Sequence, residues 1–184
     1  MIEEQKIYSM PKIGDKTPSF KAKTTQGEIN FPEDYKGKWV ILFSHPADFT
    51  PVCTTEFMTF ASMQDEFKKL NTELIGLSVD SLYAHIAWLR TIKEKIKWNG
   101  LEDVEVKFPV IEDITMEVAN KYGMIFMAMA GYDPAEAIRA EERMESLLSS
   151  NKRVEILSTH PSGKNRIEAM KKFLPEAMKY YSAR

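Results

Sequence analysis

The chain has one cysteine, Cys53, and the residues around it are of the kinds a reactive thiol needs. It lies in Phe43-Ser44-His45-Pro46-Ala47-Asp48-Phe49-Thr50-Pro51-Val52-Cys53-Thr54-Thr55-Glu56-Phe57. The nucleophile in such chemistry is the thiolate. The first turn of a helix favours an anion through its free backbone N–H groups and the positive end of its dipole. Thr50, three residues before Cys53, can direct its hydroxyl to the same spot. Pro46 and Pro51 stiffen the turn and remove two backbone donors. His45 is a candidate hydrogen-bonding group of the site, although a histidine at a strand end also serves to pack or cap. Glu56 lies one turn into the expected helix, where an acid either orients site groups or stabilises the helix end. His85 and Trp88 read as packing residues.

The elements that must position these groups follow from periodicity and punctuation. Residues 39–43, Trp-Val-Ile-Leu-Phe, read as a buried strand. Residues 54–70 read as one long amphipathic helix burying Phe57, Phe60, Ala61, Met63, Phe67 and Leu70. Residues 19–24 and 29–31 read as a hairpin around a turn at 25–28. Residues 73–79 are a second buried strand, followed by a helix to about residue 95 with Asp80 or Ser81 as its cap. Residues 105–111 read as a third strand, and Pro109 makes it an edge strand or a short one. Asp113 is expected to cap a helix through Lys121 that Gly123 ends. Strand and helix alternating in this way imply an α/β fold, with a mostly parallel sheet and helices on its faces. Further on, Asp133-Pro134 opens a helix to about residue 149. A last helix is expected over residues 164–181, interrupted at Pro175.

The spacing Pro46-x-x-x-Thr50-x-x-Cys53 resembles the active-site loop of the peroxiredoxins. The string from His45 to Glu56 is most similar to their one-cysteine type, which has a histidine before the proline. Ile13-Gly14-Asp15, Pro18-Ser19-Phe20, Leu77-Ser78-Val79-Asp80-Ser81, Phe108-Pro109 and Lys121-Tyr122-Gly123-Met124-Ile125 carry the resemblance on both sides. It implies a thioredoxin-like fold over residues 1–125, with the 39–43 strand inside the sheet. It also implies attack of the Cys53 thiolate on a peroxide O–O bond to give a sulfenic acid. Thr50 would orient the peroxide and Pro46 would shield the pocket from water. With no second cysteine, resolution needs an external thiol or another chain. A homo-oligomer is implied, with Asp48-Phe49 near one contact surface.

Residues 126–184 differ in kind and are expected to form a mostly helical segment. Residues 126–137, 157–162, 166–167 and 174–177 resemble the C-terminal tail of HExxH zinc metallopeptidases. The zinc motif itself is absent, and His45, His85 and His160 are too isolated to suggest a metal site by spacing. No cofactor is expected. Peroxiredoxins carry a strand arginine that pairs with the thiolate. Here Arg90, Arg139, Arg143, Arg153 and Arg166 all lack that context. Arg139 is at about the expected distance, but in a charged helix. Weakened peroxidase activity is therefore expected. The alternative is a hybrid that kept the loop, lost the catalysis and acts as a structural or interaction protein. Residues 154–157 are the one stretch of the tail with a composition suited to pairing beside the 39–43 strand. Without such a partner, that strand would associate with another chain or be covered by tail helices.

Composition sets the outer limits. The chain has 184 residues, 43% of them hydrophobic, and a net charge of −2. That is enough for a core in one domain or in one domain and an appendage. No basic cluster suggests nucleic acid. No apolar run suggests a membrane span or a leader. The polar N-terminus and the single cysteine read as a soluble, cytoplasmic protein.

Overall fold

The computed structural model describes residues 17–150 and 163–181. They fall into two compact units, Ser19–Ile114 and Thr115–Arg184 with Met1–Pro18. In the first unit, strands β1 (Phe20–Thr24) and β2 (Gly27–Phe31) form the expected hairpin. Gly27 takes φ +109° at its turn, a conformation that L side chains rarely adopt. β3 (Trp39–Ser44), β4 (Thr72–Ser78) and β5 (Val110–Glu112) run parallel, and β1 lies antiparallel to β5. The sheet order is β2-β1-β5-β4-β3. Two helices, α1 (Pro51–Ser62) and α2 (Gln64–Lys69), connect β3 to β4, and α3 (Leu82–Lys95) connects β4 to β5.

Two strands of the sheet bear on what the sequence led one to expect. β5 is only three residues long, because Pro109 has no N–H for a ladder. It is nonetheless interior, between β4 and β1, and the Pro109 carbonyl still accepts from Gly76 N–H at 2.9 Å. Among the described residues β3 is hydrogen-bonded to β4 alone, with Trp39 71% and Ile41 39% exposed. Residues 154–157, offered as its partner, lie outside the described residues.

The helix expected over 54–70 is two helices. α1 starts earlier, with Pro51 in its first turn and extended Thr50 as its N-cap, and it ends at Met63, whose backbone turns to φ −99°, ψ 0° between the two helices. Its buried face is Phe57, Met58 and Ala61; Phe60 and Phe67 are partly buried, while Met63 and Leu70 are exposed. Phe57 sits directly on β4: a Cβ built on Gly76 would lie 3.1 Å from its ring. That close approach favours glycine and seats α1 on the sheet. Ser81 caps α3 as expected, its Oγ accepting from Ala84 N–H at 3.2 Å.

In the second unit, α4 (Glu117–Met129), α5 (Ala135–Ser150) and α6 (Gly163–Ala177) share a core of Met124, Ile125, Ile138, Met170 and Ala177. Gly123 does not end the helix it was expected to end, nor does Asp113 cap it. α4 begins after Met116 and passes through Gly123, so the expected division at 125/126 falls inside it. Burial of Met124, Ile125 and Ala128 outweighs the roughly 1 kcal/mol helix cost of a glycine. Asp113 is buried instead, its N–H donating to the Ser78 carbonyl. Pro175 lies inside α6 without interrupting it before Ala177. Asp133 caps α5 through Oδ1, which accepts from Ala135 N–H at 2.9 Å. Arg166 pairs with nearly buried Glu141 at 2.7 Å. His160 and Arg153 lie outside the described residues. Among the described residues no helix is long and apolar enough to cross a membrane.

Candidate active site

Three parallel strands bring their carboxyl ends to one edge of the sheet, the usual place for a site in such folds. β3 delivers His45, whose N–H donates to the Leu77 carbonyl at 3.0 Å. β4 delivers Asp80, and β5 ends at Glu112. Cys53 follows in the first turn of α1. Pro51 has no N–H, and the first helical bond back is Thr54 N–H to Thr50 O at 3.0 Å. The N–H groups of Val52 and Cys53 thus have no partner within the helix. The Cys53 side chain is buried, 4% exposed, in a cluster with Phe57, Met58, Trp88 and Phe108. Its sulfur makes no hydrogen bond to the described residues.

Thr50 donates its hydroxyl proton to the Ala47 carbonyl at 2.9 Å, so the oxygen faces its surroundings as an acceptor. Trp88 bridges the helices: its Nε1–H donates to Thr54 Oγ1 at 3.1 Å. Pro46 is exposed at the start of the turn, and Glu56 is exposed on α1. The ring of His45 is buried, stacked on Trp88 at 5.0 Å and edge-on to Phe57 at 4.8 Å. His45 and Cys53 are therefore both in contact with the aromatic cluster built on Phe57 and Trp88.

Two functional candidates were not identified from the sequence. Asp48 Oδ1 lies 2.8 Å from His45 Nε2, and Oδ2 lies 2.8 Å from Nδ1 of His85. His85 is not mere packing: it is fully buried, and its Nε2 lies 3.1 Å from the Ile111 carbonyl oxygen. The Asp48 N–H donates to Asp80 Oδ2 at 2.9 Å, which also accepts from Ser78 Oγ at 2.7 Å. Burial pushes the Asp48 carboxyl up, but the hydrogen bonds and charges of His45 and His85 outweigh it and hold the group below the usual carboxylate range. His45 Nδ1 is buried with no partner. An acid three residues after a histidine was visible in the sequence. Nothing there pointed to His85 as the second partner, 37 residues further on.

These three side chains hold potential ligand atoms within 4.8 Å of one another. Hydrogen bonding accounts for the arrangement. Three buried donors fall short of a four-ligand zinc shell, and His85 Nε2 is turned to a carbonyl. Of the arginines, Arg153 and Arg184 lie outside the described residues. Arg90, the only one in the Ser19–Ile114 unit, is exposed on α3. Arg139 pairs with Asp133 at 3.0 Å and Glu136 at 2.8 Å, and Arg166 with Glu141.

Comparison with known proteins extends these observations. The family described as AhpC/TSA matches residues 13–144. A peroxiredoxin of Methanosarcina mazei is 72% identical over 116 residues, which is 63% of this chain and 53% of that one. A peroxiredoxin of Aquifex aeolicus is 56% identical over 124 residues, 67% of this chain and 53% of that one. A solved yeast mitochondrial 1-Cys peroxiredoxin superposes with TM-score 0.54 at 47% identity, covering 62% of this chain and 52% of that one. The chain thus spans about half the length of these relatives.

Proposed function

This chain belongs to the AhpC/TSA family, and on that premise we propose that it is a thiol-dependent peroxidase of the one-cysteine type, acting on hydrogen peroxide or alkyl hydroperoxides. The observation that carries the reading is the placement of Cys53 in the first turn of α1, among aromatic rings, beside backbone N–H groups that no helical carbonyl takes. The thiolate of Cys53 attacks one peroxide oxygen. An S–O bond forms as the O–O bond breaks, and the departing alkoxide or hydroxide takes up a proton. Sulfur is oxidised to the sulfenic acid and the peroxide is reduced. Two equivalents of an external thiol then return the sulfenic acid to the thiol, releasing water and a disulfide. Thr50 offers an acceptor to the peroxide O–H, and His45 offers its bare Nδ1. Pro46 restricts the turn that carries both. The yeast relative is described in terms of resolution through glutathione and thioredoxin systems, which supports a small-thiol or thioredoxin-type reductant here. The family also supports a homo-oligomer.

The Ser19–Ile114 unit carries this chemistry, and we assign no peptidase chemistry to the remainder, since the chain lacks HExxH. A second reading, a non-catalytic interaction protein, is favoured by one observation: Arg139 and Arg166 are committed to carboxylates. Steady-state peroxide consumption with a dithiol reductant separates the two. The wild-type chain turns over and Cys53→Ser does not. Equal, background-level rates for both would sink the peroxidase reading.

A further inference from the structure

We infer that His85 is held as a doubly protonated imidazolium inside the fold, and that it is a positioning residue: through Asp48 it fixes His45 with its proton on Nε2 and a bare Nδ1. This deepens the peroxidase reading and takes its consequence from it, while the protonation states follow from geometry.

The donors and acceptors around the two rings fix where the protons sit. A backbone carbonyl only accepts, so the His85 Nε2 that faces Ile111 O at 3.1 Å carries a hydrogen. A carboxylate also only accepts, so the His85 Nδ1 that faces Asp48 Oδ2 at 2.8 Å carries a second. The same holds for His45 Nε2 against Oδ1, again at 2.8 Å. Both contacts have the length of charge-assisted bonds, as an ionised Asp48 requires. A neutral His85 would turn a lone pair toward one of two oxygens, with no water to relieve it at 0% exposure.

The surrounding charges favour the cation. Asp80 faces the network from the end of β4, bound to the Asp48 N–H. On β5, Glu112 Oε1 accepts from Leu82 N–H at 3.0 Å. The positive end of α3 works in the opposite direction. Ser81 and Glu112 occupy the N–H groups of Ala84 and Leu82 there. Thr54 and Trp88, the nearest polar groups from α1 and α3, are neutral and bonded to each other. The cluster then holds one positive and one negative charge, with His45 neutral. Because Asp48 accepts a hydrogen bond from His45 Nε2–H, the unpartnered Nδ1 is the acceptor, in the aromatic cluster that surrounds Cys53.

Nitrogen-15 histidine NMR on the full chain tests this, with His160→Gln used to reduce the spectrum to two rings. At pH 7.5, His85 should show two proton-bearing ring nitrogens and His45 one, at Nε2. The His45 ring is identified by its contacts to Phe57 and Trp88. A bare nitrogen on His85 at pH 7.5, or a proton on His45 Nδ1, overturns the inference. In Asp48→Asn, His85 should lose its second proton and His45 should populate both tautomers. An unchanged His45 tautomer there would show that His85 and Asp48 do not position it. If that variant fails to fold, Asp48→Ser, which also removes the carboxylate facing His45 Nε2, is read for the His45 tautomer with the same two outcomes. No peroxide is involved, so a chain inert to peroxide with the expected spectrum upholds the inference and counts only against the peroxidase reading.

Discussion

Replacing Asp48 by asparagine keeps the side chain's shape and removes its charge. The carboxylate accepts two bonds at 2.8 Å, from His45 and His85, and its side chain is 2% exposed. Asparagine offers one carbonyl oxygen, so one histidine N–H meets an amide donor instead. A hydrogen bond to a charged group contributes about 1.5–3 kcal/mol, and removing one partner of a buried pair costs about 3–5 kcal/mol. Loss of a proton from His85 would relieve part of this. The expected destabilisation is therefore about 3 kcal/mol, a large share of the roughly 5–15 kcal/mol that holds a domain folded. Urea unfolding followed by tryptophan fluorescence reads it, since Trp88 stacks on His45. The pH dependence has a definite sign. Asp48 is depressed in the folded state, so its contribution is fully present above the ordinary carboxylate value and is lost as pH falls through the folded value. The gap between wild type and Asp48→Asn should be full near neutrality and close below about pH 4. A gap under about 1 kcal/mol at neutral pH, or one that widens on acidification, would refute the reasoning.

Other substitutions probe the scaffold that holds Cys53. Gly76→Ala places a Cβ 3.1 Å from the Phe57 ring and should cost about 1–3 kcal/mol in urea unfolding, with α1 displaced; a neutral effect would show that α1 is not seated there. Trp88→Phe removes the Nε1–H bond to Thr54 while keeping an aromatic ring, and should cost about 1–2 kcal/mol. Restoring an apolar partner with Thr54→Val in the same chain should recover part of that, and no recovery would count against the bridge.

The parts of this molecule that could be read from the sequence are those set by neighbours along the chain. Pro51, Thr50 and the apolar run ending at Phe43 place Cys53 between strand and helix without any distant contact. Ser81 announced the start of α3 in the same local way. Reading failed where packing decides. Gly123 carries a helix-ending signal, but the side chains after it are buried in the α4–α6 core and the helix continues. Pro109 suggested an edge strand or a short one; the strand is short, but only the missing N–H matters to a ladder, and β5 begins one residue later between two strands. The network of His45, Asp48 and His85 joins a strand end, a turn and a helix that are adjacent only in the folded chain.

The central claim, that Cys53 is a nucleophile toward peroxides, is tested most directly by its own oxidation. The chain, with its single thiol, is mixed with one equivalent of hydrogen peroxide, and sulfenic acid is trapped with a dimedone reagent and located by mass spectrometry over time. The account predicts one adduct, on Cys53, forming much faster than on free cysteine under the same conditions and absent from Cys53→Ser. Oxidation of Cys53 no faster than that of free cysteine would contradict it.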